Sequence, residues 1–344
     1  MRKNRLSVVF LAVCLMISSI TSGCGKGKSA NPISGAKLES GDITENSTVI
    51  LVGDTGIKYS EVRNYCYLLK KQYNPSFGDG IWKYSIGEDY TIGDEAKQEV
   101  INMITQLNVI KSVAKEQEIT LTADENTDAV QFAEKLVEAA SDEDKEKYCL
   151  SVQNITELYA DNILANKMFY IATDDVDTEV PDDVARQIDV QYIQIITNGT
   201  DRNGVAIDMD DKTKREAEKR AKAIRKKAKE AESFKDFAQE NTDSSQNELT
   251  IGKDSRELPD NVIDKALTMK KGSISEVLEG TADDGTQGYY IVYCVNDNNE
   301  DATYNRKEEI IAENQMDMFK TKYSEWLKDC NVNISQKFWE NFSI

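Results

Sequence analysis

The spacing of apolar side chains changes period midway along this chain, which limits the fold to helices and a sheet laid down in separate stretches. Ser60 can cap a helix in which Val62, Tyr65, Cys66, Leu69 and Tyr73 share one face. Val100, Ile104, Leu107, Ile110 and Ala114 repeat the pattern between Asp94 and Glu118, with Lys111 as a polar interruption at its edge. Two further helical stripes run near Asp124 to Ala140 and Asn154 to Tyr170. Ahead of them, Thr48 to Val52 reads as a strand that turns at Gly53–Gly56 and returns through Ile57–Tyr59, while Asn74 to Gly93 reads as an irregular insertion. Beyond an acidic stretch and Pro181, Ile188 to Ile196 alternates apolar and polar residues with a period of two, as a strand does. A second strand is expected at Gly288–Val295, a turn into an edge strand at Lys271–Ser275, and one long helix from Thr303 to Leu327.

The amino terminus sets the compartment. Arg2, Lys3 and Arg5 precede an apolar run from Leu6 to Ile20, then Thr21-Ser22-Gly23-Cys24. That is the layout of a secretory signal, and it resembles a bacterial lipobox although Thr21 replaces the usual aliphatic residue. The expectation is a signal peptide over 1–23, lipid on Cys24, a flexible tether over 24–46 and a mature chain held outside the cytoplasmic membrane. Ordinary secretion is the alternative.

Composition removes several classes of function. A net charge of −19 disfavours nucleic acid, whose phosphates demand positive charge. With no histidine anywhere, histidine triads, imidazole metal sites and histidine general bases are excluded. Cys66, Cys149, Cys294 and Cys330 lie far apart without a CxxC pair, so no zinc site is expected and their disulfide state stays open. The acidic runs Asp174-Asp175 and Asp208–Asp211 lack the calcium-loop pattern and read as solvated loops, so neither metal nor cofactor is expected. The basic stretch from Lys212 to Lys229 has an apolar seam of Ala217, Ala221, Ile224 and Ala228, and reads as a helix with a solvated charged face.

Several short pieces in the second half occur in one order: Tyr192-Ile193, Phe234-Lys235-Asp236-Phe237-Ala238, Thr242-Asp243-Ser244-Ser245, Ala266-Leu267, Lys271–Ser275 and Gly288–Val292. Together they resemble the parvulin family of peptidyl-prolyl isomerases over residues 188–297. The flanking helical half and the long last helix resemble the chaperone domain of PrsA-like and SurA-like foldases. The resemblance implies an α+β architecture: a helical chaperone domain made of residues 47–180 and a C-terminal helix over 303–344, with an antiparallel-sheet domain inserted between them.

It also assigns positions. The two histidines typical of parvulins fall on Tyr192 and Tyr290, the usual Cys or Asp on Ser244, the apolar Met or Leu of the proline pocket on Leu258 and its Phe on Val262. The Gly-rich loop of the family is reduced to Asn247–Thr250. The two tyrosines are expected to pair through their hydroxyls. The resulting expectation is a membrane-anchored foldase for unfolded exported polypeptides with weak or lost isomerase activity. An active isomerase with a tyrosine-lined site and a solute-binding lipoprotein are the alternatives, and homodimerisation is left open.

Overall fold

In the computed structural model, which describes residues 37–200, 206–328 and 330–344, the chain divides into two units. The first comprises the residues up to Asp175 together with Met316–Ile344, and the second Val176–Gln315. Cys24 and the signal segment lie outside the described residues.

The first unit opens with β1 (Thr48–Val52) and β2 (Thr55–Lys58), joined through Gly53 at φ 55°, a left-handed conformation that glycine adopts without strain. Next comes α1 (Tyr59–Phe77), then a 3-10 turn over Asp79–Lys83 and a small ribbon of β3 (Ser85–Gly87) with β4 (Tyr90–Thr91). The stretch read as irregular is therefore ordered into a continued helix, a tight turn and a hairpin. Too few side chains here are buried to leave a periodic signal, since residues 83–90 are all exposed.

Four helices complete this part: α2 (Ile92–Glu116), α3 (Ala123–Ala139), the short α4 (Asp142–Lys147) and α5 (Val152–Ala172). Thr91 and Thr122 start α2 and α3 as reciprocal capping boxes with Asp94 and Glu125, which satisfy donors that a helix start otherwise leaves free. Lys111 is less an interruption than a pairing point, because its ammonium lies 2.6 Å from the Asp161 carboxylate on α5.

The second unit begins with the one-turn α6 (Asp182–Ala185) and the long strand β5 (Ile188–Ile196). A small ribbon, β6 (Asn198–Thr200) with β7 (Ala206–Asp208), leads to α7 (Asp211–Ala228) and α8 (Phe234–Asn241). Then follow β8 (Glu248–Ile251), α9 (Asp260–Leu267), β9 (Leu278–Thr281) and β10 (Gln287–Asn296). Four strands form one sheet in the order β8-β5-β10-β9, every neighbouring pair antiparallel.

One expectation is corrected here: Asn247–Thr250, read as a reduced loop, supplies most of edge strand β8. The Lys271–Ser275 turn leads to the other edge strand, Leu278–Thr281, and itself reaches β10 through an isolated bridge between Ile274 and Tyr293.

Both faces of this sheet are covered. Ile188, Val190 and Tyr192 on β5 and Tyr290, Val292 and Cys294 on β10 pack with Val262, Ile263 and Ala266 of α9. The alternate residues Ile193, Ile195, Tyr289 and Ile291 pack with Ala221, Ile224 and Ala228 of α7 and Phe234 of α8. The basic helix thus buries its Ala/Ile seam, which leaves its charges outward as its pattern implies.

Helix α10 (Glu300–Leu327) leads back to the first unit, where β11 (Val332–Ile334) and α11 (Gln336–Asn341) end the fold. Strand β11 pairs antiparallel with β1, making the order β11-β1-β2. Phe319, Tyr323, Phe338 and Phe342 join one core with Val49, Ile50, Val62, Leu107 and Ile155. The α+β class is as expected, with an antiparallel-sheet unit between two segments of a mainly helical one.

The tether read over 24–46 needs correction at its C-terminal end. The Glu39 amide donates to the Thr48 carbonyl at 2.8 Å, the Ser335 hydroxyl donates to the Glu39 carbonyl at 3.0 Å, and Ile43 packs against the core. Polar composition suggested a linker there, but these backbone groups have partners in the folded unit.

Candidate functional site

Strands β5 and β10 bring the sequence-predicted residues together. Tyr192 opposes Val292 and Gln194 opposes Tyr290, so the two tyrosines project from the same face as diagonal neighbours. Leu258 and Val262 lie in the segment that covers this face. Gly280 of β9 lets that segment approach, since a Cβ there would sit 2.7 Å from the Pro259 Cβ, and the Asn261 amide donates to the Glu279 carbonyl at 2.8 Å.

The hydroxyls of Tyr192 and Tyr290 do not bond to one another as expected. Tyr192 shares a 3.3 Å hydrogen bond with Ser244 Oγ, and the Gln194 side-chain amide donates to Tyr290 Oη at 3.0 Å. A diagonal pair is further apart than a directly opposed one, so each phenol finds a nearer partner. Sequence reading missed Gln194, although its place two residues beyond Tyr192 put it on the same face.

Ser244 is fixed by its own motif. The Asp243 amide donates to the Gln194 carbonyl at 2.8 Å, and the Gln194 amide donates to Thr242 Oγ1 at 3.0 Å. The Ile196 amide donates to the Asp243 carboxylate at 3.1 Å, while Arg220 donates to the same carboxylate through both terminal nitrogens at 3.2 and 3.0 Å. Thr242-Asp243-Ser244 thereby continues the edge of β5 beyond β8. Buried Ser275 does the same for β10, its hydroxyl accepting from the Val292 amide at 2.9 Å.

These groups hold no acid–base pair. Burial pushes the Tyr290 hydroxyl up to about 12, so it stays neutral and serves as a hydrogen-bonding group. Ser244 Oγ meets the Tyr192 phenol and accepts from the Gln246 amide at 3.2 Å, neither of which is a base to activate it. Tyr192, Tyr290, Leu258 and Val262 are each no more than 5% exposed, so their side chains fill the space between sheet and α9. No group of three or more Cys, Asp or Glu among the described residues is placed to hold a metal ion. Cys66, Cys149, Cys294 and Cys330 are free thiols, and burial raises the Cys66 thiol to about 12.

The second unit is thus a four-stranded antiparallel sheet flanked by helices on both faces, with its two long strands adjacent at the centre. Residues 200–296 match the family model for rotamase, the PPIC-type PPIase domain. The match covers Ser244, Leu258, Val262 and Tyr290 and begins after the strand that bears Tyr192. Among solved structures, the chain is similar to the foldase protein PrsA from Streptococcus pneumoniae at 16% identity, covering 80% of this chain and 90% of that one with a TM-score of 0.32. It is similar to the PrsA peptidylprolyl isomerase from Bacillus cereus at 17% identity, covering 86% and 99% with a TM-score of 0.36. A SurA-like chaperone structure from Campylobacter jejuni is 11% identical, with 85% and 100% covered and a TM-score of 0.32. No curated protein matches the chain.

Proposed function

We propose that this chain is an extracytoplasmic foldase, lipid-anchored through Cys24, that holds unfolded exported polypeptides while its PPIC-type domain isomerises prolyl bonds weakly or not at all. The observation that supports the second half is the burial of Tyr192, Tyr290, Leu258 and Val262. Rotation about a prolyl bond faces a barrier of ~18–20 kcal/mol, and lowering it means favouring the twisted amide over the planar one in a dry apolar pocket. Here the residues that the resemblance assigns to that pocket are buried in their own domain, which supports this reading. The signal-like start, the split helical unit and the PPIC-type domain support the first half. Holding an exposed apolar segment lowers aggregation without any chemistry.

The test pairs two assays on the mature chain from Cys24 onward. A proline-containing peptide should isomerise at its uncatalysed rate, while aggregation of an unfolded test protein should be suppressed near stoichiometric ratio. A clear rate enhancement would restore the active-isomerase reading, and failure to suppress aggregation would remove the foldase reading.

A further inference from the structure

The segment that runs from the last residue of α1 through the β3–β4 ribbon exposes several large apolar side chains. Phe77, Tyr84, Ile86 and Tyr90 fall within fourteen residues and are between 42% and 66% exposed. A single exposed apolar residue is ordinary, but large ones gathered on a short element mark contact surfaces.

The segment is also held rigidly. The Trp82 indole donates to Asn74 Oδ1 at 3.0 Å and meets Tyr73 edge-on with ring centroids 6.0 Å apart. The Asn74 amide bonds in turn to Asp79, and the Ile92 amide donates to the Tyr84 carbonyl at 2.9 Å. Gly93 lies so close to the Trp82 carbonyl that a Cβ would come within 2.6 Å of its oxygen. The exposed side chains therefore stand on a braced turn. Strands β3 and β4 pair only with each other among the described residues, and since the Thr91 amide of β4 donates to the Asp94 carboxylate at 3.1 Å, the outer edge of β3 is the one open to a further strand.

Charge selects the occupant. From Phe77 to Glu95 there are five carboxylates against a single lysine, Lys83, and Glu88 and Asp89 form the exposed tip between the strands. A second copy of this chain would bring like charges together, which disfavours self-association through this surface. We infer that the ribbon is a docking surface for an extended polypeptide segment that combines apolar side chains with lysine or arginine. Such a segment lays its backbone along a free strand edge, its apolar residues on Tyr84 and Ile86, and its cations beside Glu88 and Asp89. The inference rests on the foldase reading and specifies which class of client segment that function would take.

Anisotropy with two labelled, proline-free peptides tests it on the mature chain. One peptide carries leucine, tyrosine and lysine, and the other replaces every lysine with glutamate. The basic peptide should bind about tenfold or more tightly than the acidic one, and more weakly as salt is raised. Combining Phe77→Ser, Tyr84→Ser and Ile86→Thr should weaken the basic peptide by about tenfold or more, the scale of losing a buried apolar anchor. Glu88→Gln with Asp89→Asn should reduce the preference for the basic peptide and flatten its salt dependence; asparagine tolerates the φ of 57° at that position. All these side chains are exposed, so the variants should melt with the parent protein. Equal binding by the triple variant, equal affinity for both peptides, or a dimer that the triple variant abolishes would overturn the inference. Its failure and that of the foldase reading are separable: a parent protein that does not suppress aggregation fails the reading, whereas a triple variant that suppresses it undiminished fails only the inference.

Discussion

At the scale of single residues, hydrogen-bond partners and burial decide what each side chain can do. Tyr290→Phe removes the acceptor of the Gln194 amide in a largely buried place, and should cost about 1 kcal/mol in urea unfolding without altering the sheet. An unchanged midpoint would mean that this bond contributes nothing. Glu61 offers a pH test in the first unit, where burial raises its carboxyl from 4.5 to about 7, opposed by Lys111 and reinforced by Asp161 and Glu157. Between those two values the folded protein holds a proton that the unfolded chain has released. The associated stability is complete below about 4.5 and is lost as pH rises through about 7. Glu61→Gln should therefore gain on the parent protein as pH increases from 5 to 8 in equilibrium unfolding. Burial raises Asp161 as well, so some pH dependence should persist in the variant.

At the scale of elements, close approach between strands is the sharpest constraint. Gly288 begins the contact of β10 with β5, and a Cβ there would sit 2.6 Å from the Ile195 carbonyl oxygen. Gly288→Ala should destabilise the second unit by roughly 1–3 kcal/mol, with amide exchange accelerated along β5 and β10 before any change in the first unit. Unaltered protection there would show that the strands can part at little cost. The same elements show which parts of the fold were legible. Strands β5 and β10 and helices α2 and α5 are long and bury a face, so their apolar residues repeat often enough to be read. Ribbon β3–β4 buries almost nothing, β8 is four residues long and β11 three, so their existence depends on partners distant in sequence. The nearness of Tyr192 and Tyr290 was legible, since both side chains lie on one face of adjacent strands. Their hydroxyl partners were not, because a two-residue difference in register, invisible in the alternation of either strand, decides whether two side chains on one face are opposed or diagonal.

At the scale of the whole molecule, the first unit depends on a segment some 140 residues away from its other part. Deleting residues 331–344 removes β11 from β1, takes Phe338 and Phe342 out of the core, and breaks the 2.5 Å bond that the Arg63 guanidinium donates to the Ser343 carbonyl. Losing a buried Phe costs about 3–5 kcal/mol, and two such losses rival the 5–15 kcal/mol that typically holds a domain folded. Calorimetry of the truncated chain should lose the transition of the first unit and keep that of the second. Two unchanged transitions would mean that the returning segment is dispensable.

By itself, the sequence determined the class of the fold, since local periodicity, capping residues and turn chemistry act between near neighbours. The lack of histidine likewise excluded imidazole chemistry without any coordinates. Only the tertiary structure decided that Tyr192, Leu258, Val262 and Tyr290 are buried and that Tyr290 bonds to Gln194. It also decided that Phe77 at the end of α1 and Tyr84, Ile86 and Tyr90 in and beside the β3–β4 ribbon stand exposed. Burial and partnership are sums over side chains brought together from across the chain, and no local pattern holds that sum.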